Sequence, residues 1–347
     1  EAPIHALNNL GIKYEHKFSS ECDSHCQKMI HMNHSPYALY EDIYDRDNKI
    51  AEDVDIYVAG FPCQPFSRAG KEQGFNDEKG RGQLFFELHK YIKTRQPKVF
   101  ILENVEGFAK LDNGRCHKTV MTMLHGIKDA NGCSIYKIHE NILNTKDHGL
   151  PQSRSRWYCM GFKKSAIPKS SRHSNSFKFP EPLERCEPVS GLLDNENTAT
   201  SERLADLSKL PAFNVHTQES LIQERGGNPK KESWILDCDA AKANSFSMKD
   251  VSPCITRSRY KGHWITNVQR RMTITEMCRF QSFNPTKLKH CVSDTELGHM
   301  LGNAMSVNII ERILFRVIRH MEFAKLASTV DRWESGEALR ELRSSKN

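Results

Sequence analysis

Along the first 160 residues, apolar positions fall into short runs separated by stretches in which they recur every three or four residues. A short run predicts a strand, and the recurrent spacing predicts a helix. Residues 5–10 read as the end of a helix stopped by Gly11, 16–20 as a strand and 23–33 as a helix. Further on, 56–59 read as a strand, 83–94 as a helix and 99–102 as a strand. Strands alternating with helices at this interval predict an α/β fold with a mostly parallel sheet and helices on both faces. Ligands bind such sheets where strands end in loops.

From residue 163 to about 249 the pattern breaks into a Pro-, Ser- and Asn-rich stretch with few long apolar runs. It predicts a smaller domain built on irregular backbone, the kind of loop surface that carries specificity. Periodicity returns at 273–281 and again at 307–327, an amphipathic helix, while 334–347 is densely charged and reads as a solvated helix or frayed tail. The expected organisation is a first domain over 1–162, a second over 163–267, a basic hinge over 268–300, a helix returning to the first domain over 301–327 and a charged tail over 328–347.

With 38% hydrophobic and 27% charged residues in 347, the composition is that of a soluble globular chain. No run approaches the ~20 apolar residues that cross a bilayer, and no secretory signal is present, so an intracellular protein is expected: nuclear if eukaryotic, cytoplasmic if bacterial. The eleven cysteines are scattered without a Cys-x-x-Cys pair, Cys22 and Cys26 being the closest two. That spacing argues against a zinc cage or disulfide framework, and no metal is expected. Net charge is +7, and residues 257–289 hold eight basic residues against one acid, Glu276. Such a stretch is either a solvated basic face or a surface for a polyanion.

The first candidate chemistry is Gly60-Phe61-Pro62-Cys63-Gln64-Pro65-Phe66-Ser67, directly after the strand at 56–59. A cysteine between prolines at the carboxyl end of a parallel strand sits on stiff backbone where substrates bind, although a structural cysteine in a Pro-rich turn reads the same way. Some forty residues on, the strand at 99–102 ends in Glu103-Asn104-Val105, which brings a carboxyl group to what should be the same sheet edge. Alone it could be a helix cap. Together, a thiol and a carboxyl group form a nucleophile and a proton donor with a common pocket.

Pro62-Cys63-Gln64, Arg81-Gly82-Gln83-Leu84-Phe85, Glu103-Asn104-Val105, Gln152-x-Arg154-x-Arg156, Arg271-x-Thr273-x-x-Glu276-x-x-Arg279-x-Gln281-x-Phe283 and Gly302-Asn303-Ala304 occur in one order over about 240 residues. In order and spacing they resemble the cytosine-5 DNA methyltransferase family. The resemblance implies a Rossmann-like catalytic and cofactor domain, a target-recognition domain between residues 163 and 267, S-adenosylmethionine as cofactor (S-adenosylhomocysteine as product), and double-stranded DNA as partner of a monomeric enzyme. Protein partners are not implied.

Carbon 5 of cytosine is a poor nucleophile until a thiolate adds at carbon 6. By resemblance that thiolate is Cys63, Glu103 is the protonated carboxyl group at ring nitrogen 3, and Arg154 and Arg156 hold the exocyclic oxygen and the surroundings of the sulfur. A carboxyl group that keeps its proton near neutral pH must be buried. Asn104 is implied to brace the catalytic loop, with Gln152 in a similar supporting role. The Gly-containing stretch 67–81 is read as a lid closing over an extruded base. Gln64, Ser67 and Arg81, together with Arg257, Arg259 and Lys261, are the implied DNA contacts.

On the cofactor side, Glu21 resembles the acid that binds the ribose hydroxyls and Asp42 the one that accepts from the adenine amino group. Cys22, Pro62, Asn303 and Val307 complete the implied site. Two departures stand out. The glycine-rich loop after the family's first strand is absent, and we expect it upstream of Glu1; Cys22 replaces a bulky side chain, which weakens adenine stacking. A transfer-RNA methyltransferase is the first alternative, but its Cys-Phe-Thr tripeptide is missing here. A non-catalytic DNA-binding relative is the second, disfavoured by retention of Cys63, Glu103, Arg154 and Arg156.

Overall fold

The computed structural model describes residues 1–61, 84–173, 177–194 and 212–346. Helix α1 (Ala2–Asn9) leads to β1 (Phe18–Ser20), α2 (Ser24–Asn33), β2 (Ala38–Tyr40) and β3 (Ile56–Gly60). Then come α3 (Leu84–Arg95), β4 (Val99–Val105), α4 (Arg115–His125), β5 (Tyr136–Asn144) and β6 (Ser155–Lys163). Strands β1 and β2 pair in parallel, and a four-stranded sheet runs β3-β4-β6-β5. The α/β class stands, but the described sheet is mixed. Strands β3 and β4 are parallel, whereas β6 runs antiparallel to both of its neighbours, because the short link from β5 returns the chain as a hairpin.

The apolar run of β4 is continuous because both faces are covered. Val99 and Ile101 face one core with Tyr158, Met160 and Phe162 of β6, while Phe100 and Leu102 face the other with Trp157 and Cys159. Helices α1 and α9 (Val307–Met321) belong to the first core and α3 and α4 to the second. Gly161 permits this packing, since a Cβ there would lie 2.0 Å from the Phe100 ring.

Helix α5 (Lys169–His173) and α6 (Ala212–Glu224) precede a second sheet of order β10-β9-β7-β8, comprising β7 (Trp234–Leu236), β8 (Ser247–Lys249), β9 (Trp264–Ile265) and β10 (Arg270–Arg271). The stretch expected on irregular backbone thus contains its own antiparallel sheet around Val215, Ile222, Leu236, Cys238 and Trp264. Its strands are two or three residues long, too short to display alternation.

Helices α7 (Ile274–Phe280) and α8 (Asp294–Asn303) both start with capping boxes, Thr273/Glu276 and Ser293/Glu296. The chain ends in α10 (Glu337–Ser344), which is docked rather than frayed. Trp333, Ala338 and Leu342 are buried, Arg343 donates to Glu187 at 2.6 and 2.7 Å, and Arg279 donates to the Ser345 carbonyl at 2.9 Å. The charged residues there are an amphipathic face and an ion-pair network. No described helix is long and apolar enough to cross a membrane, and the described cysteines are free thiols.

The network centres on Glu311 in α9, which accepts from Asn9 at 2.7 Å and from Arg332 at 3.3 Å. Burial lifts its carboxyl to about 7, with Arg332 and Asn9 opposing the rise. The native state therefore binds this proton more tightly than the unfolded chain, whose Glu titrates near ~4.3. The resulting stabilisation is full below the unfolded value and is lost as pH rises through about 7. We expect unfolding free energy, measured by urea titration, to fall across that window, and Glu311→Gln to flatten the slope; an unchanged slope would contradict the assignment.

Candidate active site

Parallel pairing of β3 with β4 sets Gly60 directly opposite Glu103, so Glu103 lies at the strand end that leads, three residues later, to Cys63. Cys63, Pro62, Gln64, Ser67 and Arg81 lie outside the described residues. The antiparallel β4–β6 register pairs Glu103 with Tyr158 and Val105 with Arg156. Glu103 and Arg156 are therefore diagonal neighbours on one face, within reach of long side chains. The two-residue period of a strand also explains Arg-x-Arg: Arg154, Arg156 and Tyr158 project to the same side.

Arg156 Nε lies 3.1 Å from Glu103 Oε1, with both side chains 12% exposed. Burial pushes the Glu103 carboxyl above the usual carboxylate range, and Arg156 and Arg154 restrain the rise. A Cβ at Gly60 would stand 3.3 Å from both Glu103 Oε2 and Met305 Cε. The absence of that Cβ keeps the approach to the carboxyl group open. Tyr158, fully buried with its hydroxyl unpartnered among the described residues, faces the same charges, and burial followed by Glu103 raises its pKa.

The two arginines have different surroundings. Arg154 is 2% exposed and donates to the carbonyls of Ile255 (2.7 Å), Gly302 (3.3 Å) and Ala304 (2.6 Å). It ties the end of α8 to the segment between β8 and β9 of the second sheet, whereas Arg156 addresses Glu103. Gln152 holds the same segment against α7 instead, since its side chain donates to Phe280 O at 2.7 Å and accepts from Ile255 N at 3.0 Å. Asn104 is fully buried, its Oδ1 accepting from Val105 N while Nδ2 has no partner among the described residues.

At the other strand ends, Ser20 pairs with Tyr40, and Glu21 N donates to Tyr40 O at 3.0 Å. Glu21 and Asp42 are thereby brought to adjacent carboxyl ends of parallel strands. Burial raises the Glu21 carboxyl although Asp23 N donates to it at 2.9 Å. Cys22 is exposed beside it. Two carboxylates so placed suit a nucleoside whose ribose hydroxyls and ring amino group are donors. Asn303 is exposed at the end of α8. Val307 is fully buried and its amide donates to Gln281 O at 3.0 Å, so in this segment Asn303 is the residue open to a ligand.

The basic stretch is largely neutralised from elsewhere in the chain. Arg259 pairs with Asp237, Arg271 with Asp239, Arg270 with Glu276, Arg279 with Asp194 and Lys287 with Glu341. Arg257 stays half exposed, 3.9 Å from Asp23, and Lys261 is exposed over the Tyr260 ring. Of the six implied DNA contacts, these two are the described residues with outward charge. Sequence reasoning passed over Tyr158, Met305 and Cys254, whose Sγ lies 3.4 Å from Arg154 and 3.7 Å from Arg156. Cys254 carried no signal among eleven scattered cysteines, although its place five residues beyond β8, in the segment Ile255 shares with Gln152, marks it once the fold is known. The described residues with metal-ligand spacing are Glu1, His5 and His34. There burial and His34 push His5 down to about 4, and its ring packs edge-on against His34 and Phe283 as a neutral group.

A C-5 cytosine-specific DNA methylase family model matches residues 4–319. The chain is 33% identical over 304 residues to the Type II methyltransferase M.NgoBI of Neisseria gonorrhoeae, covering 85% of this chain and 83% of that protein. It is 33% identical over 318 residues to M.HpaII of Haemophilus parainfluenzae, covering 88% and 83%. The S. pombe Dnmt2 methyltransferase structure superposes with a TM-score of 0.57 at 19% identity, covering 91% of this chain and 95% of that one. A putative DNA modification methyltransferase from an E. coli prophage superposes with 0.58 at 16% identity, covering 93% and 97%. These two superpositions establish the shared Rossmann-like fold. The chain belongs to the C-5 cytosine-specific DNA methylase family, and it is a DNA cytosine-5 methyltransferase.

Gly302, in the Gly-Asn-Ala motif, lets α8 touch the segment that carries Arg257: a Cβ there would lie 2.3 Å from Arg257 N and from the Thr256 carbonyl carbon. Both contacts are backbone and cannot swing aside. Gly302→Ala should therefore destabilise the fold by on the order of 1–3 kcal/mol and lower DNA affinity, as read by thermal denaturation and filter binding. A variant with native melting and binding would show that the close approach is dispensable.

Proposed function

We propose that this enzyme methylates carbon 5 of cytosine in duplex DNA through a covalent adduct of Cys63 at carbon 6, with S-adenosylmethionine as donor. The observation that carries the reading is the buried Glu103 carboxyl, raised above its ordinary range while held against Arg156 at the strand end leading to Cys63. Glu21 and Asp42 would hold the ribose and adenine, with Cys22, Pro62 and Asn303 as the further proposed cofactor contacts. When bound there, S-adenosylmethionine supplies an electrophilic methyl group.

The remaining chemistry belongs to side chains of this chain. The Cys63 thiolate adds to carbon 6, forming a C–S bond and pushing an electron pair toward carbon 5 and ring nitrogen 3. Protonated Glu103 donates to nitrogen 3 and relieves the developing charge, while Arg156 favours thiolate over thiol and binds the exocyclic oxygen. After carbon 5 is methylated, loss of its proton and cleavage of the C–S bond restore Cys63. Arg154, Asn104 and Gln152 hold this geometry. Because the target atom is inaccessible in a stacked duplex, the cytosine must be extruded, as is general for methyltransferases acting on bases. Gln64, Ser67, Arg81, Arg257, Arg259 and Lys261 are the proposed DNA contacts. Among these, Arg259 is paired with Asp237, and outward phosphate attraction falls to Arg257 and Lys261.

Duplex DNA containing 5-fluorocytosine should trap a covalent complex, since fluorine cannot leave as a proton does, and Cys63→Ser should abolish it. Glu103→Gln should slow methyl transfer by roughly 10²–10⁴-fold with cofactor binding retained. Transfer of tritiated methyl only to transfer RNA, or an adduct that survives Cys63→Ser, would refute the assignment.

A further inference from the structure

We propose that Cys254 is a positioning residue for methyl transfer, its sulfur holding the guanidinium groups of Arg154 and Arg156 in register so that Arg156 stays aimed at Glu103. The inference deepens the reading of Glu103 as the acid and rests on it. No bond forms or breaks at this sulfur.

Arg154 and Arg156 repel each other. The strand period turns their two guanidinium groups to the same face, into a space with little water to screen them. What lies between them is Cys254 Sγ, 3.4 Å from Arg154 Nη1 and 3.7 Å from Arg156 Nη2. The position of the sulfur is fixed by its backbone. Ser252 N donates to Pro151 O at 2.7 Å, Ser153 N donates to Ser252 O at 2.8 Å, and Ile255 N donates to the Gln152 side chain at 3.0 Å. The segment between β8 and β9 is thus stitched to the start of β6, and Cys254 is its contact with both arginines.

The charge state follows from the same geometry. Burial pushes the thiol up, but Arg154 and then Arg156 overcome this and hold it below the ordinary thiol value. The groups around it are these two cations, Glu103 beyond Arg156, and His263, whose ring lies 3.4 Å from the Cys254 carbonyl and whose pKa burial lowers. Whatever negative charge this sulfur carries opposes the two cations that favour loss of the proton from Glu103. Serine keeps the shape and loses the charge; aspartate keeps the charge. In Cys254→Ser both guanidinium groups act on Glu103 unopposed, its pKa falls, and the acid is lost at lower pH.

The test compares pH profiles of single-turnover methyl transfer, at saturating cofactor and DNA, for wild type, Cys254→Ser, Cys254→Asp and Glu103→Gln. Cys254→Ser should move the alkaline limb down by about one pH unit, and Cys254→Asp should restore its position. A merely structural role would depress the rate at every pH in both variants and leave the limb in place, which would overturn the proposal. If Glu103→Gln keeps the wild-type alkaline limb, the acid assignment itself fails. The sulfur's contact is then read directly, as the pH midpoint of iodoacetamide labelling of Cys254, resolved by mass spectrometry. A midpoint below that of exposed Cys133, rising in Arg156→Gln, supports the contact; a midpoint at or above that of Cys133 overturns it.

Discussion

The Glu103–Arg156 pair depends on a constraint that is expensive to maintain: a carboxyl group must be buried deeply enough to keep its proton, yet stay within 3.1 Å of a cation that favours losing it. Surrounding structure sets the balance. The register of β4 against β6 fixes how closely the pair can approach, Arg154 adds a second cation, and Cys254 sits against both. Sheet, helix end and recognition segment meet at this point, so a shift in any of them is felt by the carboxyl group.

Arg154 shows how the two four-stranded sheets are joined. Its guanidinium binds Ile255 O from the segment between β8 and β9 and Gly302 and Ala304 O from the end of α8, while β6, which begins at the next residue, carries Arg156. Gly302 lets the backbones approach closely enough for one side chain to span them. The docked C-terminus adds a separate set of ties, through Arg279 to Ser345 and Arg343 to Glu187. In such a network, loss of a single buried cation leaves several carbonyls without donors, each costing about 1–3 kcal/mol.

The electrostatics of the basic stretch were less legible. A run of eight basic residues looks in sequence like a uniform polyanion surface. In the fold, Asp194, Asp237, Asp239, Glu276 and Glu341 neutralise five of those cations, leaving outward charge at Arg257, Lys261 and Lys289. Four of these acids lie outside the basic run, so no local count reveals the pairing. The same blindness affected the last fourteen residues, whose charges hide the buried Trp333, Ala338 and Leu342 just before and among them.

What the sequence by itself determined is the set of groups that carry chemistry and the local periods that present them. Alternation put helices on both faces of the sheet, Arg-x-Arg put two cations on one side of a strand, and a strand ending in Glu103 put an acid beside the route to Cys63. Only the tertiary structure decided which cations stay outward, that Arg154 braces while Arg156 faces the acid, that Val307 is core, and that Cys254 joins the pair. Most of these depend on approaches between residues tens to more than a hundred positions apart in the chain, and a local period of two or 3.6 residues carries no information about such distances.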